Sequence, residues 1–185
     1  RNKAKQLNGG GSGLFIFPKD FTDNTKIIFS NCIWQNNEAI HDPDLVTTNN
    51  NGDEREFLYN GLGGAIQFGF DEKVSQIKLE FNECEFKNNS AAFEGGALAI
   101  QTTKDCTIKN CTFESNKAGT ATISLPGGKT KSGGAIFIDP DFINDLVEEQ
   151  RNPQINIISC EFKDNEAKGD GSAIFLRGQE AKFNV

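Results

Sequence analysis

A chain of 185 residues with 36% hydrophobic and 24% charged residues is long enough for one packed domain and too apolar for a disordered tail. Its formal net charge of −7 argues against nucleic acid and anionic membranes as partners, because both require a basic surface. No apolar run approaches the ~20 residues of a membrane-spanning helix, so membrane insertion is not expected.

The first recognisable element is a glycine-rich strand that recurs along the chain. It reads Gly-Gly/Ser-Ala/Gly, then an aliphatic residue, a variable residue and another apolar residue. Its copies cover 11–16, 63–68, 95–100, 133–138 and 171–176. Glycine permits a sharp turn into each strand, and alternate side chains of the strand should point inward. These glycines match no phosphate-binding pattern, so no nucleotide site is expected.

The next element in each period is a strand with alternating apolar residues. Its inward pairs are Ile27 and Phe29, Leu79 and Phe81, Cys106 and Ile108, and Ile155 and Ile157. The alternation then slips by one residue, which reverses the buried face and therefore requires a corner. The predicted corner residues are 30–31, 82–83, 109–110 and 158–159.

The third element reads Cys-x-aromatic-x-x-Asn-x-Ala, and its copies begin at Cys32, Cys84, Cys111 and Cys160. It alternates strictly with the glycine-rich element, and its closest cysteines, Cys84 and Cys111, are 27 residues apart. A repeat of this length built from short strands is one coil of a solenoid. We therefore predict an all-β parallel β-helix with three strands per coil, right-handed by the crossover rule.

The domain prediction is a single solenoid segment over 1–185 with polar insertions near 40–62, 120–132 and 139–153. One helical stretch is expected over 141–151. Arg1-Asn2-Lys3-Ala4 matches the end of the Cys-aromatic-Asn element, and Lys182-Phe183-Asn184-Val185 stops where a cysteine should follow. Both termini should therefore lie within a coil, as in an excerpt of a longer array or a unit that stacks end to end.

Two columns of identical residues are predicted to be structural ladders. Cys32, Cys84, Cys111 and Cys160 share one slot and are interpreted as buried thiols, with disulfides and metal ligation as alternatives. A straight column cannot surround a metal ion tetrahedrally. Asn37, Asn89, Asn116 and Asn165 should stack at a turn, where amides bond between coils and asparagine tolerates a left-handed backbone. No metal or other cofactor is predicted.

Several residues outside the core are candidates for modification, contact, catalysis or metal binding. Asn88 and Asn110 begin Asn-x-Ser/Thr sequons and are candidate glycosylation sites. The outward slot of the glycine-rich strand carries Phe15, Phe137 and Phe175, which are either covered by the chain's own loops or form a contact surface. His41 has no catalytic partner in the sequence. The acidic insertions are interpreted as solvated loops, with calcium binding as the alternative.

The alternation of Gly-Gly-Ala-Ile with Phe-x-x-Asn resembles the passenger repeats of chlamydial polymorphic outer membrane proteins, and related microbial and protist surface proteins. The matching residues are Phe86 to Asn89, Phe113 to Asn116 and Phe162 to Asn165, with Trp34 in place of phenylalanine before Asn37. The resemblance implies surface display and adhesion.

The predicted function is a non-catalytic structural or adhesive module of an extracellular or cell-surface protein or fibre. Expected partners are further copies, stacked end to end or along the Phe face, or a host or extracellular surface ligand. The alternative is a carbohydrate-active enzyme, a polysaccharide lyase or hydrolase, because such enzymes use this fold. A groove with converging Asp, Arg and aromatic groups would favour that alternative.

Overall fold

The computed structural model describes residues 3–4, 13–16, 25–40, 61–69, 75–101, 103–121, 133–139, 154–177 and 182–185. Over these residues the secondary structure consists of strands without a helix. Each described strand pairs in parallel with its counterpart one coil away, for example Phe86 with Phe113 and Phe113 with Phe162. The register is continuous in these pairings except for a shift between Thr103 and Asp105. Parallel in-register stacking of successive coils confirms the predicted parallel β-helix.

Four sheets run along the described solenoid, and each is named here by its sequence signature. The glycine sheet contains Leu14–Ile16, Ile66–Phe68, Leu98–Gln101, Ile136–Asp139 and Ile174–Leu176. The long sheet contains Lys26–Ser30, Ser75–Asn82, Thr103–Lys109, Gln154–Ile158 and Lys182–Asn184. The cysteine sheet, which follows the motif cysteines, contains Ile33–Gln35, Glu85–Lys87, Thr112–Glu114 and Glu161–Lys163. The short sheet contains Lys3–Ala4, Glu38–Ala39, Ser90–Ala91, Lys117–Ala118 and Glu166–Ala167.

The structure therefore has four strands per coil where the sequence predicts three. The additional strand belongs to the short sheet and is two residues long in each coil. Its one inward residue is the motif alanine, such as Ala39 or Ala91, which is fully buried. A single small apolar residue produces no alternation, so pattern analysis cannot detect such a strand. The right-handed sense of the helix remains a prediction.

Two left-handed corners separate the sheets of each coil. The corner between the long and cysteine sheets places Asn31, Glu83, Asn110 and Ser159 at φ between 51° and 54°. The corner between the cysteine and short sheets places Asn36, Asn88, Ser115 and Asp164 at φ between 52° and 56°. The first corner occurs where the alternation slips, as predicted. Asparagine occupies half of these positions because it tolerates this backbone better than most residues with a side chain.

The inward faces of the sheets enclose one continuous core in which like residues stack. The ring of Phe113 lies between those of Phe86 and Phe162, with centroid distances of 4.8 and 5.0 Å. Phe29 stacks on Phe81 at 5.1 Å in the long sheet. These distances follow the spacing of about 4.8 Å between paired strands, so the rings stack because the coils do.

The predicted insertions lie mostly outside the described residues. Residues 41–60, 122–132 and 140–153 are not among them, so the whole of the predicted helix over 141–151 and His41 lie outside the described residues. The described edges of the insertions nevertheless pack closely: Leu62 is fully buried, and Asp139 completes a strand of the glycine sheet.

Glycine is required where coils approach most closely at the start of the glycine sheet. Gly64, Gly96 and Gly134 occupy the second position of the motif, and a Cβ at each would collide with a backbone oxygen of the next coil. For Gly134 this oxygen belongs to Ser172. The side chain of Ser172, which takes the same slot in the next coil, is exposed, so the slot tolerates serine there.

We expect Gly134→Ala to lower the free energy of unfolding by about 3 kcal/mol, because the added methyl group overpacks the contact between coils. Ser172→Ala is the matched control in the same slot and should change stability by no more than about 0.5 kcal/mol. Chemical denaturation followed by circular dichroism measures both. Equal effects of the two substitutions would contradict the close approach.

Candidate functional site: ladders and outward faces

The asparagine ladder consists of Asn37, Asn89, Asn116 and Asn165, whose side chains turn into the interior just after the second corner. Each amide Nδ2 donates to the Oδ1 of the next asparagine, at 2.9 Å from Asn37, 3.0 Å from Asn89 and 3.0 Å from Asn116. The same Oδ1 atoms also accept the backbone N–H of the preceding asparagine, at 3.0–3.1 Å. The ladder thus joins all four coils.

The Nδ2 groups of Asn89, Asn116 and Asn165 also donate to backbone carbonyls of the preceding coil. Asn89 donates to the carbonyl of Trp34, Asn116 to that of Phe86 and Asn165 to that of Phe113, each at 2.9 Å. In Asn116, which is fully buried, both amide hydrogens and the oxygen therefore have partners. An aspartate lacks the two donors, so the slot requires asparagine.

The ladder asparagines do not themselves adopt the left-handed conformation that the sequence analysis assigned to them. The residue before each one does, for example Asn88 before Asn89. The left-handed residue turns the chain. The side chain of the following asparagine then points inward, where it forms hydrogen bonds with the neighbouring coils.

The thiol column consists of Cys32, Cys84, Cys111 and Cys160, all of which are free thiols. The S–H group of Cys111 can donate to either of two carbonyl oxygens. The sulfur lies 3.3 Å from the oxygen of Lys109 and 3.5 Å from that of Phe81. It also accepts the backbone N–H of Cys84 at 3.4 Å. A thiol is therefore useful here because it fills a small apolar slot and still bonds a backbone donor at the corner.

The environments of the thiols differ in their effect on ionisation. Burial raises the pKa of Cys84 and that of Cys106. A hydrogen bond between the side chains of Cys111 and Cys160, together with burial, raises the pKa of Cys111, and the same bond lowers the pKa of Cys160. Cys106 lies outside the column, in register with Leu79 and Ile155 in the long sheet.

The outward faces carry charges that pair within a strand or between coils. Lys87 lies 2.8 Å from Glu85 and 3.9 Å from Glu114, and Lys163 lies 3.7 Å from Glu114. Lys26 pairs with Glu80, and Lys117 with Glu166, each at 2.7 Å. Since these groups are exposed, each pair contributes no more than about 1 kcal/mol to stability. They make the faces polar and charge-balanced rather than strongly basic or acidic.

The outward face of the glycine sheet holds the predicted phenylalanine column. Phe137 is fully buried in a second apolar cluster with Leu62, Ala92, Phe93 and Ala99. Phe175 is part-buried against this cluster and its ring stacks on Phe137 at 5.5 Å, while Phe15 is half-buried. At Phe137 the chain's own residues cover the column, so this ring is not a contact surface in the structure.

A polar row lies beside these rings on the same face. Gln101 and Asp139 are fully buried and pair in register on adjacent strands. Arg177, one coil further, places Nη1 3.5 Å from Oδ2 of Asp139. Sequence reasoning missed this Asp–Arg pair because it assigned Asp139 to an insertion. The detectable signal was its position two residues after the outward Phe137, matching that of Arg177 after Phe175.

The two sequon asparagines, Asn88 and Asn110, are exposed residues at left-handed corners. Asn88 lines a polar cleft of ≈ 370 Å³ together with Asn36, Asn37, Glu38 and Ser90. Both asparagine side chains are thus on the surface, where an attached glycan would have room.

The acidic residues of the insertions other than Asp139 lie outside the described residues. They are Asp42, Asp44, Asp53, Glu54, Glu56, Asp141, Asp145, Glu148 and Glu149. Among the residues that the structure does describe, no three His, Cys, Asp or Glu side chains converge on a point where a metal ion could bind. Nor does this part of the chain contain a helix with the length and apolarity needed to cross a membrane.

Comparison with known families agrees with the resemblance seen in the motifs. Residues 110–139 match the sequence model of the Chlamydia polymorphic membrane protein repeat. The matched span runs from the Cys111 to Asn116 motif to the Gly133 to Ile138 motif, which is one full alternation. The match confirms the resemblance over this coil. No curated protein and no solved structure gives a match.

We expect Asn116→Ala to reduce the free energy of unfolding by about 3 kcal/mol, because one Nδ2 hydrogen and the backbone N–H of the buried Asn89 lose the oxygen to which they donate. Lys117→Ala is the matched control, since it removes only an exposed ion pair and should cost less than about 1 kcal/mol. Urea denaturation of both variants gives the comparison. A loss at Asn116 no larger than at Lys117 would show that the ladder contributes nothing.

Alkaline pH should destabilise the protein through Cys106. Its pKa is raised in the folded state above the usual 9.0, so the unfolded thiol ionises first. The stability from this group is full below about pH 9 and falls by about 1.4 kcal/mol per pH unit above it. Cys106→Val should remove this part of the slope in denaturation experiments between about pH 8 and 11. An unchanged slope would contradict the assignment.

Proposed function

We propose that the chain is a non-catalytic structural or adhesive module of an extracellular surface protein or fibre. The observation that supports this most directly is the asparagine ladder, in which buried amides join successive coils without a gap from Asn37 to Asn165. Residues repeated in this way hold one coil on the next, and they do not converge on a reaction centre. The repeated residues thus build a stiff scaffold whose outward faces extend along the solenoid.

The surface location rests on the family match. The matched repeat is that of a membrane protein family, and residues 110–139 contain both motifs that recur through the chain. Since the other coils repeat the same motifs, the same location is proposed for the whole segment. Glycosylation at Asn88 or Asn110, both of them exposed, is part of this proposal.

Adhesion would use the outward faces of the long and cysteine sheets. They carry the paired charges together with three exposed apolar side chains, Ile28, Ile33 and Ile158, which are 51%, 64% and 38% exposed. A polar surface that contains a few exposed apolar side chains is suited to binding a protein or glycan on a host or extracellular surface. Association of copies end to end is proposed because a second coil with the same slots could continue the parallel pairing.

One observation supports the alternative function, a carbohydrate-active enzyme. Asp139 and Arg177 lie on adjacent coils beside the stacked rings of Phe137 and Phe175, which is the combination that would favour an enzyme. However, Asp139 is fully buried, and the other outward positions of the described glycine-sheet strands carry no carboxylate. Glycosidases use two carboxylates that flank the substrate. The scaffold role is therefore preferred.

Two measurements on the purified chain test the proposal together. Small-angle X-ray scattering should show an elongated rigid particle, and beads coated with the chain should bind cells or matrix saturably. Beads coated with Ile28→Glu/Ile33→Glu should bind less, whereas the control Thr107→Glu, on the same face, should bind normally. Turnover of acidic or neutral polysaccharides that disappears in Asp139→Asn would instead establish the enzyme and overturn the scaffold role.

A further inference from the structure

We propose that the thiol column is made of two oxidisable pairs, Cys32 with Cys84 and Cys111 with Cys160, and that each pair can close as a disulfide between neighbouring coils. Such bonds would fasten the solenoid covalently. The inference concerns the chemistry of the folded chain and holds whether or not the proposed adhesive role is correct.

The register of the coils brings the paired cysteines within bonding range. Thr112 pairs with Glu161 and Ile33 with Glu85, so the preceding cysteines are also aligned. The backbone N–H of Glu161 donates to the carbonyl of Cys111 at 2.9 Å, which fixes this alignment at the cysteine itself. Paired strands lie about 4.8 Å apart, which is inside the usual range of Cα distances in disulfides.

The exposure of the thiols favours two of the three neighbouring combinations. Cys84 and Cys111, which form the remaining combination, are both buried, so no reagent in solution reaches either of them. Each selected pair combines a partly exposed thiol, Cys32 or Cys160, with a buried one. The exposed member can meet a reagent in solution, and the buried member is then its nearest thiol.

The same two combinations close the longest loops. Cys32 and Cys84 are 52 residues apart, and Cys111 and Cys160 are 49 apart, whereas Cys84 and Cys111 are separated by 27. Both long loops contain a predicted insertion. A cross-link that closes a longer loop removes more conformational entropy from the unfolded chain. These two pairs should therefore stabilise the folded chain more than a bond between Cys84 and Cys111 would.

The reaction requires an oxidant of the small organic disulfide class, such as oxidised glutathione. The Cys160 thiol loses its proton to solvent, and its thiolate attacks one sulfur of the reagent, so that the S–S bond of the reagent breaks and one thiolate leaves. The sulfur of Cys111 then attacks Sγ of Cys160, its proton passes to the second departing thiolate, and the protein disulfide forms. The first departing thiolate takes up a proton from solvent. The protein therefore loses two protons and two electrons, and the reagent gains them and becomes two thiols.

The order of attack follows from the two environments. The hydrogen bond from Cys111 lowers the pKa of Cys160, and Cys160 is the more exposed of the two, so it reacts first. Cys111 is buried and has a raised pKa, so it reacts only within the mixed disulfide. Cys106 is fully buried outside the column and has no cysteine partner in register, which makes it the internal control.

Oxidation of the native full chain with oxidised glutathione tests the proposal. Intact mass should fall by two hydrogen atoms per bond, and non-reducing peptide mapping should recover Cys111 linked to Cys160 and Cys32 linked to Cys84. Cys160→Ser and Cys111→Ser should each abolish the first link and keep the second, and Cys106→Ser should keep both. The fully oxidised chain should melt roughly 10 °C higher than the reduced one.

Three results would overturn the proposal. They are a glutathione adduct on Cys160 that persists without a cross-link, a dominant link between Cys84 and Cys111, and cross-links that form only in denaturant. If a serine variant fails to fold, the peptide map of the unmodified chain in native buffer and in urea still decides the question. Links that form faster in native buffer support folded-state pairing, and links that form faster in urea contradict it.

Discussion

The structure depends on parallel, in-register hydrogen bonding between coils, which in the described pairings is interrupted only by the register shift between Thr103 and Asp105 in the long sheet. Because each residue lies directly beside its counterpart, any side chain that bonds or stacks with a copy of itself does so repeatedly. The amides of Asn37 to Asn165, the rings of Phe86, Phe113 and Phe162 and the thiol column all result from this one condition. It also explains the glycines, since a backbone that repeats every 4.8 Å or so leaves no room for a Cβ where coils touch.

Most of the fold could be predicted from sequence because the repeat displays it several times. The change of alternation before each motif cysteine located the first corner, where the structure has a left-handed residue such as Asn110. The second corner was placed one residue late, since Asn88 and Asn89 are both asparagines and composition does not say which one turns. The short sheet was missed because Ala91 is its single inward residue.

The surface was harder to predict than the core. Inward residues are constrained by neighbours on every side, so their pattern is regular, whereas outward residues vary from coil to coil. Asp139 and Arg177 form a pair because Asp139 ends one strand of the glycine sheet and Arg177 directly follows the next strand, which ends at Leu176. Likewise, the sequence left open whether Phe137 was covered, because the covering residues Leu62, Ala92 and Phe93 come from distant parts of the chain. Contacts between distant segments do not appear in local periodicity.

The asparagine ladder has a direction. Between successive asparagines, each bond runs from the Nδ2 of one coil to the Oδ1 of the following coil, so the dipoles of these bonds point the same way and reinforce each other along the axis. The rod is therefore electrically polar even where its paired surface charges cancel. Replacing one asparagine would remove an acceptor from the asparagine before it and a donor from the asparagine after it. We therefore expect the whole ladder to share an axial load, and to break at a weakened asparagine and not at its ends.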